Sequence, residues 1–499
     1  MAGLLDTLGT ATRGLQAVQS GLATTGHNIA NADTPGYTRQ RSVLETGTPQ
    51  YYRNGAIGSG VEQVTVERII DRFIGSRLIS ETSRQSSLEI ENAIYREVET
   101  LVNEQQVRGL NSEMTGFFDA LDDLASSPEP GQGVARNQLL SAAQSLVDTV
   151  HRYDDQLRSL QRDTDRGITG LLPEINDLAR QIADLNGQIV EAETIAPAND
   201  LRDRRDQLVL ALAEKVEITT VNDSAGNLSI RIAGGLSLVD HKIANELVAV
   251  VDPTNLNAFD PSFSQVFYKS AGSPFDVTAS LRGGELGGLI DARDNIIAGT
   301  IRDLDAIVFT LSDSFNSVHQ AGVGLVDAAG HDFFTDLTGQ ATVNDSARNF
   351  GISADIDPDQ GGTLGNIGAG AVVAAPPGGP GAAVGDTDAV EALKDLRTLR
   401  VASFLAGDAS GAPTGSSISI SGSLINMVGN IGQNALSTGR SLEQQEAVLS
   451  AVQNRRDSIS GVSVDEEVAD LVKLQANFQA NARVIATVSS LLEDLFNAL

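Results

Sequence analysis

Apolar residues at the two ends of the chain keep one rhythm. Leu4, Leu8, Ala11, Leu15, Val18, Leu22, Thr25 and Ile29 alternate steps of four and three, the a/d spacing of a helix that packs against a partner helix. Val464, Val468, Leu471, Gln475, Phe478, Ala482, Ile485, Ser489, Leu492, Phe496 and Leu499 do the same at the other end. Such a seam is narrower than the apolar face of a globular-core helix, so it buries well only against one or two other helices. The ends are therefore expected to pair with each other, either as a simple hairpin within one molecule or as a coiled coil that also meets neighbouring copies.

Between the ends the pattern changes period several times. Pro35 and Gly36 suit the centre of a type II turn, and Pro35 disfavours a helical Thr34, so the first helix should stop between Ala30 and Asp33. An extended stretch follows, with Gly47, Gly55, Gly58 and Gly60 marking a linker, and helical periodicity is expected from about Val66 to Ala125. Two seams come next, Leu139 to Leu160 and Leu171 to Ile189, shifted against each other by one residue. Gly167, Gly170 and Pro173 lie at the slip and predict a kink or a break. Pro197 to Asp200 caps a further helix buried through Leu201, Leu208 and Leu212.

Alternating apolar residues at Val216, Ile218 and Thr220, then Leu228, Ile230 and Ile232 around a polar turn, open a β-rich block that reaches about Arg282. Helix returns from Leu286 to His319, a turn-rich block runs from about 322 to 385 with Pro376 to Gly381 inside it, and helix resumes at 387–400 and 423–456. The expected fold class is mainly α with β-rich inserts: a terminal coiled coil (1–60 with 460–499), a helical-bundle body (61–215 with 284–320 and 387–459), and two outer inserts at 216–283 and 321–386.

Charge narrows the partners. The chain holds 65 acidic against 35 basic residues, a formal −30 that repels nucleic acid and anionic lipid alike. No apolar run approaches the ~18 residues of a membrane span. Neither nucleic acid nor membrane is expected as a partner. Residues 1–60 escape this acidity: Arg13, Arg39, Arg41 and Arg53 face Asp6, Asp33 and Glu45, a net +1 that suits close packing against copies of itself. With no cysteine, disulfides and thiol chemistry are excluded. The first basic residue is Arg13, so a basic n-region of a cleaved signal peptide is missing from these opening residues.

Candidate chemistry is sparse. The five histidines (His27, His151, His241, His319 and His331) have no i, i+4 pairing and read as structural. Asp355, Asp357 and Asp359 begin like a calcium loop, but Gln360 stands where glycine is needed and Asn366 where the bidentate glutamate belongs. Gly283 to Gly288 precedes a helix without phosphate-loop spacing, and reads as a chain reversal. No catalytic residue, cofactor or metal is assigned, and an enzyme is not expected.

At Ala30-Asn31-Ala32-Asp33-Thr34-Pro35-Gly36-Tyr37-Thr38-Arg39-Gln40 the chain resembles the N-terminal signature of the bacterial flagellar rod, hook and hook-associated proteins. Asp465 to Leu471, with Gln475, Asn477, Phe478, Asn481 and Arg483, resembles the C-terminal signature of the same family. The runs Ser460 to Glu467 and Asn199 to Asp206 resemble the hook-associated branch at the hook–filament junction. The resemblance implies a protein exported through the flagellar type III apparatus, cytoplasmic before export and extracellular afterwards. It implies a ring of copies of itself, with hook protein on one side, a second junction protein and through it flagellin on the other, and an export chaperone on the C-terminal helix.

The assembly interface is then expected at Leu4, Leu8, Leu15, Val18, Leu22, Ile29, Val468, Leu471, Phe478, Ile485, Leu492 and Phe496, with Asn31, Thr34, Pro35, Gly36, Tyr37, Gln475, Asn477 and Asn481 as family motif positions. Apolar seams exposed before assembly predict ends that are mobile in the monomer and gain helix on incorporation. The alternatives are a hook or distal rod protein and, in another class, a secreted hydrolase carried on the flagellar axis.

Overall fold

A computed structural model of the chain describes residues 2–52, 55–102, 109–126, 133–223, 227–251, 262–270, 272–326, 329–370, 386–405, 407–410 and 413–498, apart from the side chains of residues 2, 50–52, 56, 57, 496 and 498. Its helices are α1 (Ala2–Ala30), α2 (Arg72–Val102), α3 (Leu110–Ala125), α4 (Val134–Ala192), α5 (Asn199–Lys215), α6 (Gly284–Asp291), α7 (Ala298–His319), α8 (Ser346–Asn349), α9 (Asp388–Asp395), α10 (Ile420–Ser460) and α11 (Val464–Ala498). The strands are β1 (Gln40–Thr46), β2 (Gln50–Tyr52), β3 (Gly55–Ile57), β4 (Val61–Arg68), β5 (Thr219–Asn222), β6 (Leu228–Ile232), β7 (Leu236–Asp240), β8 (Ile243–Ala244), β9 (Glu246–Val251), β10 (Ser264–Lys269) and β11 (Phe275–Asp276).

The chain ends pair: α1 runs antiparallel to α11. Glycines in α1 allow the approach, since a Cβ on Gly14 would lie 3.1 Å from Asn481 Oδ1 and one on Gly21 3.1 Å from Leu474 Cδ2. The expected linker after Tyr37 is instead an antiparallel ribbon, in which β1 pairs with β4 from Gln40 opposite Arg68 to Thr46 opposite Val61. Helix therefore begins at Arg72, not Val66, because Val61 to Arg68 satisfies its backbone groups across the ribbon.

The body is organised by α4, a single helix of 59 residues, roughly 90 Å long at the ordinary helical rise. Its two seams enter two different cores. Leu139, Leu146, Val150 and Leu157 join Phe117 and Phe118 of α3 and Phe309 and Phe315 of α7. Ile168, Leu172, Ile175 and Ile182 join Val209 and Leu212 of α5, Leu286 of α6 and the inner faces of β6, β9 and β10. The one-residue slip marks the handover between cores, and the predicted break is absent. Pro173 is exposed, while Leu171, Leu172 and Ile175 around it are buried, so packing on both sides outweighs the ladder bond that proline removes.

The insert after α5 is β-rich as expected: β5-β6-β7-β8 and β9-β10-β11 form two antiparallel sheets. It closes at Gly284, whose positive φ of +69° and backbone approach (a Cβ would lie 2.5 Å from Val216 N) make the chain reversal that starts α6. The segment 321–370 departs from its expected place as an outer β insert. It carries isolated bridges at Val323–Gly370 and Phe334–Ile352 in place of a sheet. Phe333, Phe334, Phe350 and Ile352 enter the first core, with the Phe315 and Phe333 rings 5.0 Å apart and those of Phe117 and Phe334 5.5 Å apart. Burial of these rings ties the segment to α7; the Pro376 to Gly381 stretch lies outside the described residues.

Candidate assembly site at the paired chain ends

Where α1 ends, its last turn is locked to both flanking motifs. Asn28 is 1% exposed, and its amide makes four hydrogen bonds. Nδ2 donates to Gln40 O at 2.8 Å and to Glu467 Oε2 at 3.1 Å, while Oδ1 accepts from Gln40 N at 3.0 Å and Tyr37 Oη at 2.8 Å. That is the full capacity of a carboxamide, used to join α1, β1 and α11. Glu467, buried in the first turn of α11, also accepts from Arg39 Nε at 2.6 Å; Arg39 reaches Glu466 at 2.9 Å and its backbone N donates to Ser460 O at 2.8 Å. Three carboxylates in that turn complement the helix dipole.

The turn between α1 and β1 docks on α5. Gly36 has φ +76°, and a Cβ there would lie 2.3 Å from Gln207 Nε2, the group that donates to Pro35 O. Thr38 donates through N at 3.0 Å and Oγ1 at 2.6 Å to Asp203, which Arg68 of β4 also meets at 2.5 Å. Burial pushes the Asp203 carboxyl up in spite of these donors, and burial with Asp200, Asp203 and Glu467 nearby pushes the Tyr37 phenol up. Asn199, expected as a cap, instead donates to Val66 O at 2.9 Å and Gln40 Oε1 at 3.2 Å, because β1 and β4 present partners there. The Asn199 to Asp206 run is thus the body's half of the junction.

The motif residues divide accordingly. Asn31 donates to His27 O at 3.0 Å and accepts from Thr34 Oγ1 at 3.4 Å, so Asn31, Thr34, Pro35, Gly36 and Tyr37 shape the turn. On α11, Asn481 meets Gly14, while Gln475 and Asn477 are exposed. In α1, Leu4, Leu8, Leu15, Leu22 and Ile29 are half-buried and Val18 buried. In α11, Leu471, Phe478, Ile485 and Leu492 are half-buried as part of the face that meets α1, but the alternate members of that face are Glu467, Leu474, Asn481 and Val488. Val468 is 47% exposed, which corrects its place in the paired seam; the Phe496 side chain lies outside the described residues.

Apolar spacing does not mark Asn28, Glu467 or Asp203: Glu467 and Asp203 lie within the signature runs without any sign of their contacts, and Asn28 is a polar residue where the α1 seam approaches the turn motif. Beside the paired face, Val464, Val468, Val472, Val484 and Leu491 of α11 and Leu5 of α1 lie between 41% and 58% exposed. Among the described residues no helix is long and apolar enough to cross a membrane, and no group of His, Asp and Glu is arranged to hold a metal.

Known proteins share both the ends and the body. The flagella basal body rod protein family matches residues 8–38, the flagellar basal body rod FlgEFG protein C-terminal family matches 453–498, and the flagellar hook-associated protein FlgK helical domain matches 95–334. Flagellar hook-associated protein 1 of Escherichia coli is 27% identical over 98% of both chains, and that of Bacillus subtilis is 27% identical over 99% of this chain and 98% of its own. The flagellar hook junction protein FlgK of Burkholderia pseudomallei, 16% identical, shares the fold with a TM-score of 0.62 over 77% of this chain and all of its own. A helical body whose two ends pair and carry rod-protein signatures defines a structural component of the bacterial flagellar axis. Within that class, the chain is similar to flagellar hook-associated protein 1 along almost its whole length.

Proposed function

We propose that this chain forms the ring of subunits that joins hook to filament, and that α1 and α11 are its assembly surface. The observation that carries the reading is the apolar side chains left uncovered beside the paired seam, from Val464 to Leu491. One α1 helix covers only one face of α11, so Val464, Val468 and Val472 on one flank and Val484 and Leu491 on the other are left for neighbouring copies to cover. The exposed Gln475 lies on the flank of Val468 and the exposed Asn477 on that of Val484, and each supplies polar contacts there.

Hook protein on one side, a second junction protein leading to flagellin on the other, and a chaperone on the C-terminal helix before export complete the set of partners. The divided terminal unit (1–60 with 460–499) is the part that assembles, the body (61–215, 284–320 and 387–459) carries the next shell, and the insert at 216–283 faces outward. Residues 321–370 act with the body through their shared core. Electron microscopy of detached flagella bearing a tagged chain tests the reading: label confined to the hook–filament boundary is expected, and label along the hook or in the rod contradicts it. Deletion is expected to give nonmotile cells that shed flagellin.

A further inference from the structure

The two most exposed large apolar side chains among the described residues stand on two elements that flank α5. Ile195, 91% exposed, lies in the turn from α4 into α5; Phe73, 75% exposed, lies in the first turn of α2, with the exposed Ile70 just before it. α5 packs against α4 and α2, and α2 packs in turn on α10, where Ile74 meets Leu449 and Val452. Both turns are held by hydrogen bonds of their own. Ile195 N and Ala196 N donate to Ala192 O at 3.0 and 3.1 Å, and Asp71 Oδ1 accepts from Phe73 N at 2.9 Å and Ile74 N at 3.3 Å. Side chains presented on fixed turns lose little entropy when they bind.

The two places are opposite in shape and in charge. Ile195 rims a groove of about 890 Å³ between α1, β4 and the turn into α5, lined by Ala23, Val64, Val66, Pro197 and Leu201. Asp200 also lines it, with its side chain 66% exposed. Its Oδ1 is shared by His27 Nε2 at 3.3 Å and Gln40 Nε2 at 2.9 Å, and its Oδ2 has no hydrogen-bond partner among the described residues. Ile70 and Phe73 instead form a knob, and Arg72 between them is exposed and has no ion pair among the described residues.

We propose that the knob of one copy enters the groove of the next, with Ile70 and Phe73 against Val64 and Ile195 and the Arg72 guanidinium donating to Asp200 Oδ2; the inference rests on the assembly reading above. A second copy is the occupant because this chain carries both halves and their charges match. A chain of net −30 repels its copies, except where an unpaired cation meets an unpaired carboxylate. α1 supplies one wall of the groove, so the contact continues the surface already assigned to assembly. Knob and groove are different patches, so the contact is head-to-tail and runs from copy to copy until a ring closes. One aromatic anchor is too small to hold copies together in solution; it engages where the terminal helices already keep them side by side.

The cysteine-free chain permits a direct test. Flagella detached from cells expressing a chain with both S76C and T194C are treated with a short bismaleimide; Ser76 and Thr194 are exposed and flank the contact without taking part in it. The expected result is a ladder of linked chains that passes dimer, absent from either single-cysteine chain and from the purified chain. Phe73→Asp in the same background, a change at an exposed position, is expected to weaken the ladder about tenfold while circular dichroism of the purified chain is unchanged. No ladder from a double-cysteine chain seated at the hook–filament boundary, a ladder that ends at dimer, or one that survives Phe73→Asp overturns the proposal and leaves the assembly reading standing. An unsubstituted chain missing from that boundary overturns both.

Discussion

Asn28 shows how much one side chain decides. Its carboxamide gives two donors to carbonyl or carboxylate oxygens and two lone pairs to a hydroxyl and an amide, an arrangement no other residue of that size supplies. Asn28→Asp keeps the shape, removes both donors and sets a carboxylate against buried Glu467. The expected cost is about 3–5 kcal/mol, the range for an uncompensated buried charge, read as a lower urea midpoint or as loss of amide protection at 25–40 and 460–474. Unchanged protection there contradicts the junction described above.

His319 gives a pH test at the same scale. It is buried, with Nδ1 2.6 Å from His331 O and Nε2 accepting from Gly368 N at 2.9 Å, and burial pushes its pKa from 6.5 down to about 4. As pH falls through that window the unfolded chain takes up a proton that the folded chain refuses, so stability present above pH 6.5 is lost towards pH 4. Asp305 slopes the other way, since burial raises its carboxyl from 3.8 to about 7 and its contribution is lost as pH rises. His319→Gln keeps a donor and an acceptor without titrating. The stability difference between wild type and variant is expected to grow by about 3 kcal/mol from pH 4 to 6.5; a flat difference refutes the assignment.

At the scale of elements, the α1 seam was readable because its register is fixed by apolar spacing alone, as were the stop before Pro35 and the period-2 strands β5 and β6. The α11 seam was read with half its members displaced: Val468 and Gln475 continue the apolar spacing, yet Leu474 and Asn481 face the glycines of α1. Valines on two adjoining faces gave two possible seams, and only the position of the partner helix chooses between them. The turn-rich 321–370 segment was misplaced because glycines and turns dominate its pattern while a few phenylalanines dominate its energetics.

Two substitutions test these elements. Gly21→Leu gains about 0.8 kcal/mol of helix propensity and forces a side chain into Leu474, 3.1 Å from its first carbon; the net effect is expected to be a loss of about 1–2 kcal/mol in α1 protection. Pro173→Ala should restore a ladder bond at an exposed position of α4 and raise the thermal midpoint by several degrees. A lower midpoint would mean that the proline sets a bend the cores require.

For the whole molecule, distance along the chain is the wrong guide: Asn28 and Glu467 are 439 residues apart and share a hydrogen bond. The family signatures at the two ends and the Asn199 to Asp206 run meet at one place. That meeting was not legible in sequence, because no periodicity relates a turn, a strand and two helix ends. It also refines the expectation of mobile ends. The junction holds 25–40 and 460–474 to the body, so amide exchange in the monomer should be fastest at 2–20 and 478–498 and slow on assembly; equal strong protection throughout the monomer contradicts this.

The central claim is that α11 offers neighbouring copies a face that α1 leaves uncovered. Val468→Asp with Val472→Asp charges that face without touching the paired seam. Motility, together with electron microscopy of detached flagella from cells expressing this variant, tests it most directly. The account predicts a folded, exported chain recovered from the medium, absent from the hook tip, in cells that do not swim; a variant that seats between hook and filament and restores swimming would contradict it.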